Sequence, residues 1–126
     1  MPVKLFTIEE ANRRLTEVGP KLAVIRDLYE RVEALRADAL AAAQASESGG
    51  GMAGGTVYVN LLYRIGKLTT EIVESGIEIK DPRRGLIDFP SLKGDRIVYL
   101  CWKLGEGASI AWWHEVDAGF AGRQPL

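Results

Sequence analysis

The sequence predicts an α+β fold: an N-terminal antiparallel helical hairpin, with a short helix before it, packed on a C-terminal antiparallel β-meander of three to four strands. Three observations carry that expectation. Apolar residues recur three and four apart from Leu15 to Leu35 and again from Leu61 to Val73. A glycine-rich stretch, Ser46 to Gly55, separates those two patterns. After Gly76 the period falls to two, and turn residues punctuate short β-branched and aromatic runs.

The first helix opens on Phe6-Thr7-Ile8-Glu9-Glu10. Thr7 and Glu10 stand at the two positions of a capping box, each able to satisfy the other's backbone N–H, and Phe6 sits where a hydrophobic staple belongs. Leu15, Val18, Leu22, Ile25, Leu28, Val32 and Leu35 then form a heptad-like stripe. Gly19-Pro20 interrupts it. Proline has no N–H to donate, and the residue before it is pushed away from helical angles. The pattern therefore predicts a short helix over about residues 8–18 and a long one over about 20–45, a single kinked helix being the alternative. Alternating charges (Arg26, Asp27, Glu30, Arg31, Glu33, Arg36) mark a solvated face.

Ser46–Gly55 reads as a flexible connector, since ordering glycines is entropically expensive. A phosphate loop is set aside, because no strand precedes the stretch and no Gly-Lys-Ser/Thr follows it. A second helix is expected over about residues 57–75, ended by Gly76 in a left-handed cap. Ile77-Glu78-Ile79-Lys80 alternates as a strand, and Asp81-Pro82 opens a turn. Leu86 to Phe89 is a short strand stopped by Pro90; Arg96 to Leu104 is a strong one after the Lys93-Gly94-Asp95 turn. Gly105-Glu106-Gly107 turns the chain and Ser109 to Glu115 returns it. One domain over residues 1–126 is expected: helices to about 75, meander over about 77–117, tail over 118–126.

Composition narrows function by exclusion. With 16 basic and 17 acidic residues the formal net charge is −1, and the cations are scattered. No nucleic-acid partner is expected, because such binders show a basic excess or stripe. No apolar run approaches the roughly 20 residues a bilayer span needs, so no membrane partner is expected. Met1–Ile8 is too short, and too soon followed by Glu9-Glu10, to read as a signal peptide, which points to a cytoplasmic protein. The single cysteine, Cys101, excludes an intrachain disulfide and reads as a small buried hydrophobe.

Several motifs together carry a resemblance: Leu5 to Asn12 (LFTIEEAN), Arg84 to Pro90 (RGLIDFP), Val98 to Trp102 (VYLCW), Trp113-His114-Glu115, and Gly119 to Pro125 (GFAGRQP). The chain resembles a bacterial family known as domain of unknown function 2203. The likeness spans essentially the whole sequence, the last three motifs are its most specific part, and the glycine-rich connector is where this chain departs. The resemblance implies no activity and no catalytic residue.

The candidate site gathers at the strand ends. His114 is the only histidine, set between tryptophans and acids. One reading makes it a partly buried histidine satisfied by a carboxylate or carbonyl. The other makes it a ligand of a divalent metal ion, with Asp88, Glu115, Asp117 and Glu106 as the nearest carboxylates. A strand sends His114 and Glu115 to opposite faces, so Asp88 on a neighbouring strand or Asp117 beyond the strand is the easier companion. A lone histidine with oxygen ligands would suit a hard or borderline ion. General acid–base work by His114 is a further possibility, although Ser91, Ser109 and Cys101 lack a nucleophile's context. Arg84, Arg123 and Trp113 are the candidate residues for a small-molecule or anionic ligand. For Arg123 the structural reading is a pair with Asp88 or Glu115; for Arg84, one with Asp88.

Two functional expectations follow. The first is a divalent-metal- or small-anion-binding domain, possible enzyme included, with its site near His114. The second is a structural or interaction module that forms a homo-oligomer, a dimer, through its long helix.

Overall fold

The computed structural model describes residues 3–45 and 55–126. Two helices come first, α1 (Ile8–Ala45) and α2 (Gly55–Glu74). Five strands follow: β1 (Glu78–Asp81), β2 (Leu86–Lys93), β3 (Arg96–Lys103), β4 (Trp112–Glu115) and β5 (Gln124–Pro125). They form one sheet in chain order, every neighbouring pair antiparallel. The hairpin-and-meander architecture is the expected one, with five strands in place of three to four. The fifth comes from the tail, where Gln124 pairs with Trp113. Apart from Gly55, which opens α2, the expected connector lies outside the described residues. No helix among the described residues is long and apolar enough to cross a membrane.

The expected break at Gly19-Pro20 does not occur: α1 runs through it with Pro20 inside the helix. A mid-helix proline costs about 3 kcal/mol. Pro20 is exposed, as is Thr16, whose carbonyl has no Pro20 N–H to accept from. On the other side of the helix Leu15, Val18, Leu22 and Ile25 are all buried. At roughly 1.5–3 kcal/mol for each buried side chain, docking of that stripe outweighs the local preference. The stripe continues through Leu28 and Val32, covered by Leu61 and Ile65 of α2. The separate short first helix is thus the opening turns of one long helix. The capping box forms as expected, Glu10 N–H donating to Thr7 Oγ1 at 3.1 Å and Thr7 N–H to Glu10 Oε1 at 3.4 Å.

Strand β2 also runs past its expected stop. Pro90 pairs with Tyr99, and the strand continues to Lys93. The Pro90 carbonyl accepts from Phe6 N–H at 2.8 Å, so Pro90 turns its backbone polar groups away from β3, to a side that β1 no longer reaches. The missing donor therefore interrupts no ladder bond, as on an edge strand, where proline is tolerated. The return strand is shorter than expected: it starts at Trp112, and Ile110 drops into the core. In the Arg84-Gly85-Leu86 turn, Gly85 has φ +67° and a Cβ there would collide with the Leu104 side chain.

Register decides what each face carries. Leu100 stands opposite Trp113, Cys101 opposite Trp112, and Tyr99 opposite His114. Directly paired residues share a face. Ile87, Phe89, Val98, Leu100, Trp102 and Trp113 therefore face α1 and join its stripe in one core. Glu78, Asp88, Tyr99, Cys101, Trp112 and His114 occupy the other face.

Candidate metal centre

Three strands supply one side chain each to a buried group on that far face. Asp88 lies on β2 directly opposite Cys101 on β3. His114 lies on β4 opposite Tyr99, one same-face step along β3 from Cys101. The two outer side chains meet across the middle strand, with His114 Nε2 at 3.0 Å from Asp88 Oδ2. Asp88 is 1% exposed, Cys101 0% and His114 2%. One ligating atom from each of the three lies within 4.8 Å of the others.

The hydrogen bonds of this group are incomplete. His114 Nδ1 is 2.7 Å from the Glu115 carbonyl. A carbonyl only accepts, so Nδ1 carries the hydrogen. A neutral imidazole then points the Nε2 lone pair at a carboxylate. The other carboxylate oxygen, Asp88 Oδ1, is buried with no hydrogen-bond partner. Burial, and then the negative charge of Asp88, push the Cys101 thiol up to about 12. As it stands the sulfur is a protonated, unreactive thiol, which argues against a cysteine nucleophile.

Two polar clusters flank the group. On the β1 side, Tyr99 Oη donates to Glu78 Oε2 at 2.7 Å, and Lys80 Nζ donates to Glu78 Oε1 at 2.8 Å. Lys80 also lies over the Tyr99 ring, which leans on His114 with centroids 5.4 Å apart. Burial works to raise the Glu78 carboxyl, yet the bonds from Lys80 and Tyr99 hold it below its usual value. On the other side the tail returns, and Arg123 stacks on Phe120 and Trp112 at 4.2 and 4.9 Å. Its guanidinium grips Glu106 with two bonds of 3.0 and 2.8 Å and places Nη1 3.9 Å from Cys101 Sγ. Burial of Glu106 is likewise overcome, by Arg123 and by the Lys103 N–H, so its carboxyl titrates below the ordinary range.

The candidate residues separate sharply on this framework. Asp88 and His114 come together. Glu115 points to the helix side of β4 and binds Arg96, 2.6 Å from Oε1 to Nη2. Asp117 is exposed in the turn after β4. Trp113 is in the helix-facing core. Arg123 does border the group, but its partner is Glu106, where Asp88 or Glu115 was expected. Arg84 does not pair with Asp88; it lies over Phe120, Cζ 5.4 Å from the ring centroid. Cys101 is the residue that sequence reasoning assigned to the core. Alternation along β3 held the signal, since Cys101 has the opposite parity to Val98, Leu100 and Trp102 and so faces away from the helices.

The comparisons with known proteins bear on family alone. A family model described as an uncharacterized conserved protein, DUF2203, matches residues 4–126. No curated protein and no solved structure matches the chain.

Proposed function

Because the chain belongs to the DUF2203 family, which carries no described activity, we propose its function from geometry: it binds one divalent metal ion through Asp88, Cys101 and His114. The observation that carries this reading is the orientation of His114. Its Nδ1 is committed to a carbonyl, and its Nε2 faces a carboxylate 3.0 Å away. A proton between them would settle that one contact. A cation would settle it together with the partnerless Asp88 Oδ1 and would draw in the nearby sulfur. Metal-bound histidines have this arrangement, one ring nitrogen on the ion and the other donating to a carbonyl.

A thiolate, an imidazole and a carboxylate suit a borderline ion such as Zn2+ better than Mg2+ or Ca2+, which favour all-oxygen shells. The expected hard-or-borderline oxygen site thereby becomes a mixed one. Three protein ligands leave one tetrahedral position for a further group. Binding must displace the thiol proton, so affinity rises with pH. A lone ligating thiol also fits the reducing, cytoplasmic setting expected from the sequence.

Elemental analysis of protein purified without chelator is expected to find close to one zinc per chain. Cys101→Ser, nearly isosteric, should lose it. Cobalt(II) added to stripped wild-type protein should give thiolate-to-metal absorption. Absence of both stoichiometric metal and that absorption sinks the reading.

A second reading, a small anion such as phosphate or a carboxylate, has its own observation. Arg84, Lys103 and Arg123 all lie within 5.8 Å of the Phe120 centroid. Of the three, only Arg123 makes a salt bridge among the described residues. Calorimetric titration with phosphate, weakened by Arg84→Ala, is the result this reading requires.

A further inference from the structure

Asp88, Cys101 and His114 are buried too deeply for a hydrated ion to reach them in this arrangement. Whatever binds there has to pass a cover that moves. Two covers meet over the group. Beside His114 lies Tyr99, whose hydroxyl is bonded to Glu78 of β1. Beside Cys101 lies Arg123, whose side chain is only 12% exposed. Pro125 pairs with Trp112, so alternation along the tail turns Arg123 to the same face as Trp112 and Cys101.

We propose that the C-terminal segment, residues 119–126, is the door of this site, with the Arg123–Glu106 pair as its latch. Three observations favour the tail over the Tyr99 side. The first is attachment. β5 is two residues long and lies at the edge of the sheet, so lifting it disturbs no strand beyond β4. Tyr99 belongs to β3, which has β2 on one side and β4 on the other. The second is Gly119, where the segment begins. Its φ of 67° and ψ of −169° are open essentially to glycine alone. A Cβ there meets nothing within 4 Å, so the backbone angle and not the space requires glycine. A residue so placed is a natural pivot. The third is the latch. Arg123 holds Glu106 by two bonds, and Glu106 stands in the turn after β3, so the pair spans the opening. Tail and turn part when that one pair gives. That a metal ion is what passes rests on the proposed function; the door itself does not.

Cys101 is the single cysteine and reports opening without any metal. Stripped protein is treated with iodoacetamide, and alkylation is followed by mass. Glu106→Gln should label roughly tenfold faster than the wild type, the effect of weakening a charge-assisted bond that only the closed tail makes. The rate should barely change with urea below the unfolding transition, because a lifted tail exposes little surface. Lys80→Ala, which thins the cover on the Tyr99 side, should label at the wild-type rate. Zinc-loaded Glu106→Gln should lose its ion to excess EDTA faster by the same factor. A Glu106→Gln rate equal to the wild type's overturns the proposal. So does a rate that climbs steeply with urea from the start, as global unfolding demands, or faster labelling of Lys80→Ala. Faster labelling with unchanged zinc loss overturns the tail as the ion's route. Faster labelling in a protein that binds no zinc overturns the metal reading and upholds the door.

Discussion

The two faces of the sheet are one residue out of phase and follow different rules. On the helix side Ile87, Phe89, Leu100 and Trp113 interdigitate with α1, and each gains by leaving water. On the far side Asp88, Cys101 and His114 are as deeply buried, and for Asp88 and His114 that burial is unfavourable unless each finds a partner. The helix-side face explains why the chain folds. The far face has no such justification in stability, because three well-packed hydrophobes would serve at least as well. Buried polar groups retained at that disadvantage are where function is to be sought.

Four substitutions or conditions test this contrast, in decreasing order of expected effect. Phe89→Ala, which also removes the edge-on contact with Phe6, should cost about 3–5 kcal/mol in urea unfolding, with or without metal. His114→Ala should destabilise the metal-loaded protein by about 3 kcal/mol, by removing a ligand that holds the ion beside Asp88. Its distinguishing feature is metal dependence: chelation should destabilise the wild type and leave this variant unmoved. If Phe89→Ala and His114→Ala respond alike to chelator, the two faces do not differ in kind. Glu106→Gln should cost about 2 kcal/mol near neutrality, the worth of a charge-assisted bond. The native Glu106 carboxyl titrates below its unfolded value of 4.5, so its contribution is complete above that pH and lost as pH falls through the lowered value. The acid limb of the stability curve should therefore flatten in the variant. Arg96→Ala breaks only the exposed pair with Glu115 and should leave the melting temperature within error of the wild type.

The division of the chain into helices and meander was legible because periodicity is local. The capping box at Thr7 and Glu10 is written in four consecutive residues, and it forms as read. The path of the chain through Pro20 and Pro90 was not legible. Both prolines are tolerated for reasons outside their own neighbourhood: Leu15, Val18 and Leu22 docking on distant partners, and Phe6 supplying the donor that meets the Pro90 carbonyl. Of the candidate site, Asp88 and His114 could be named from their residue types and expected strands. Their meeting depends on the register of two hairpins, which turn geometry sets and composition does not. Cys101 stayed hidden for a different reason. Alternation along β3 turns Cys101 away from Val98, Leu100 and Trp102, but only the pairing of β2, β3 and β4 shows what it touches. The Arg123–Glu106 grip joins a tail to a turn that no local pattern connects.

The start of α1 is tied to the sheet region by long-range bonds, among them Phe6 N–H to the Pro90 carbonyl, Ser91 Oγ to the Phe6 carbonyl, and Ile110 N–H to Asn12 Oδ1, the last 98 residues apart. Synthesis runs from the first of these residues to the last. The apolar stripe of α1 thus leaves the ribosome long before the strands that will cover it exist. The β-hairpins can close on themselves as they appear, but the helix has to wait. During that interval the most exposed apolar surface on the nascent chain is the helix that later becomes its most buried one, and it is there that a chaperone or a misdirected neighbour would find its hold.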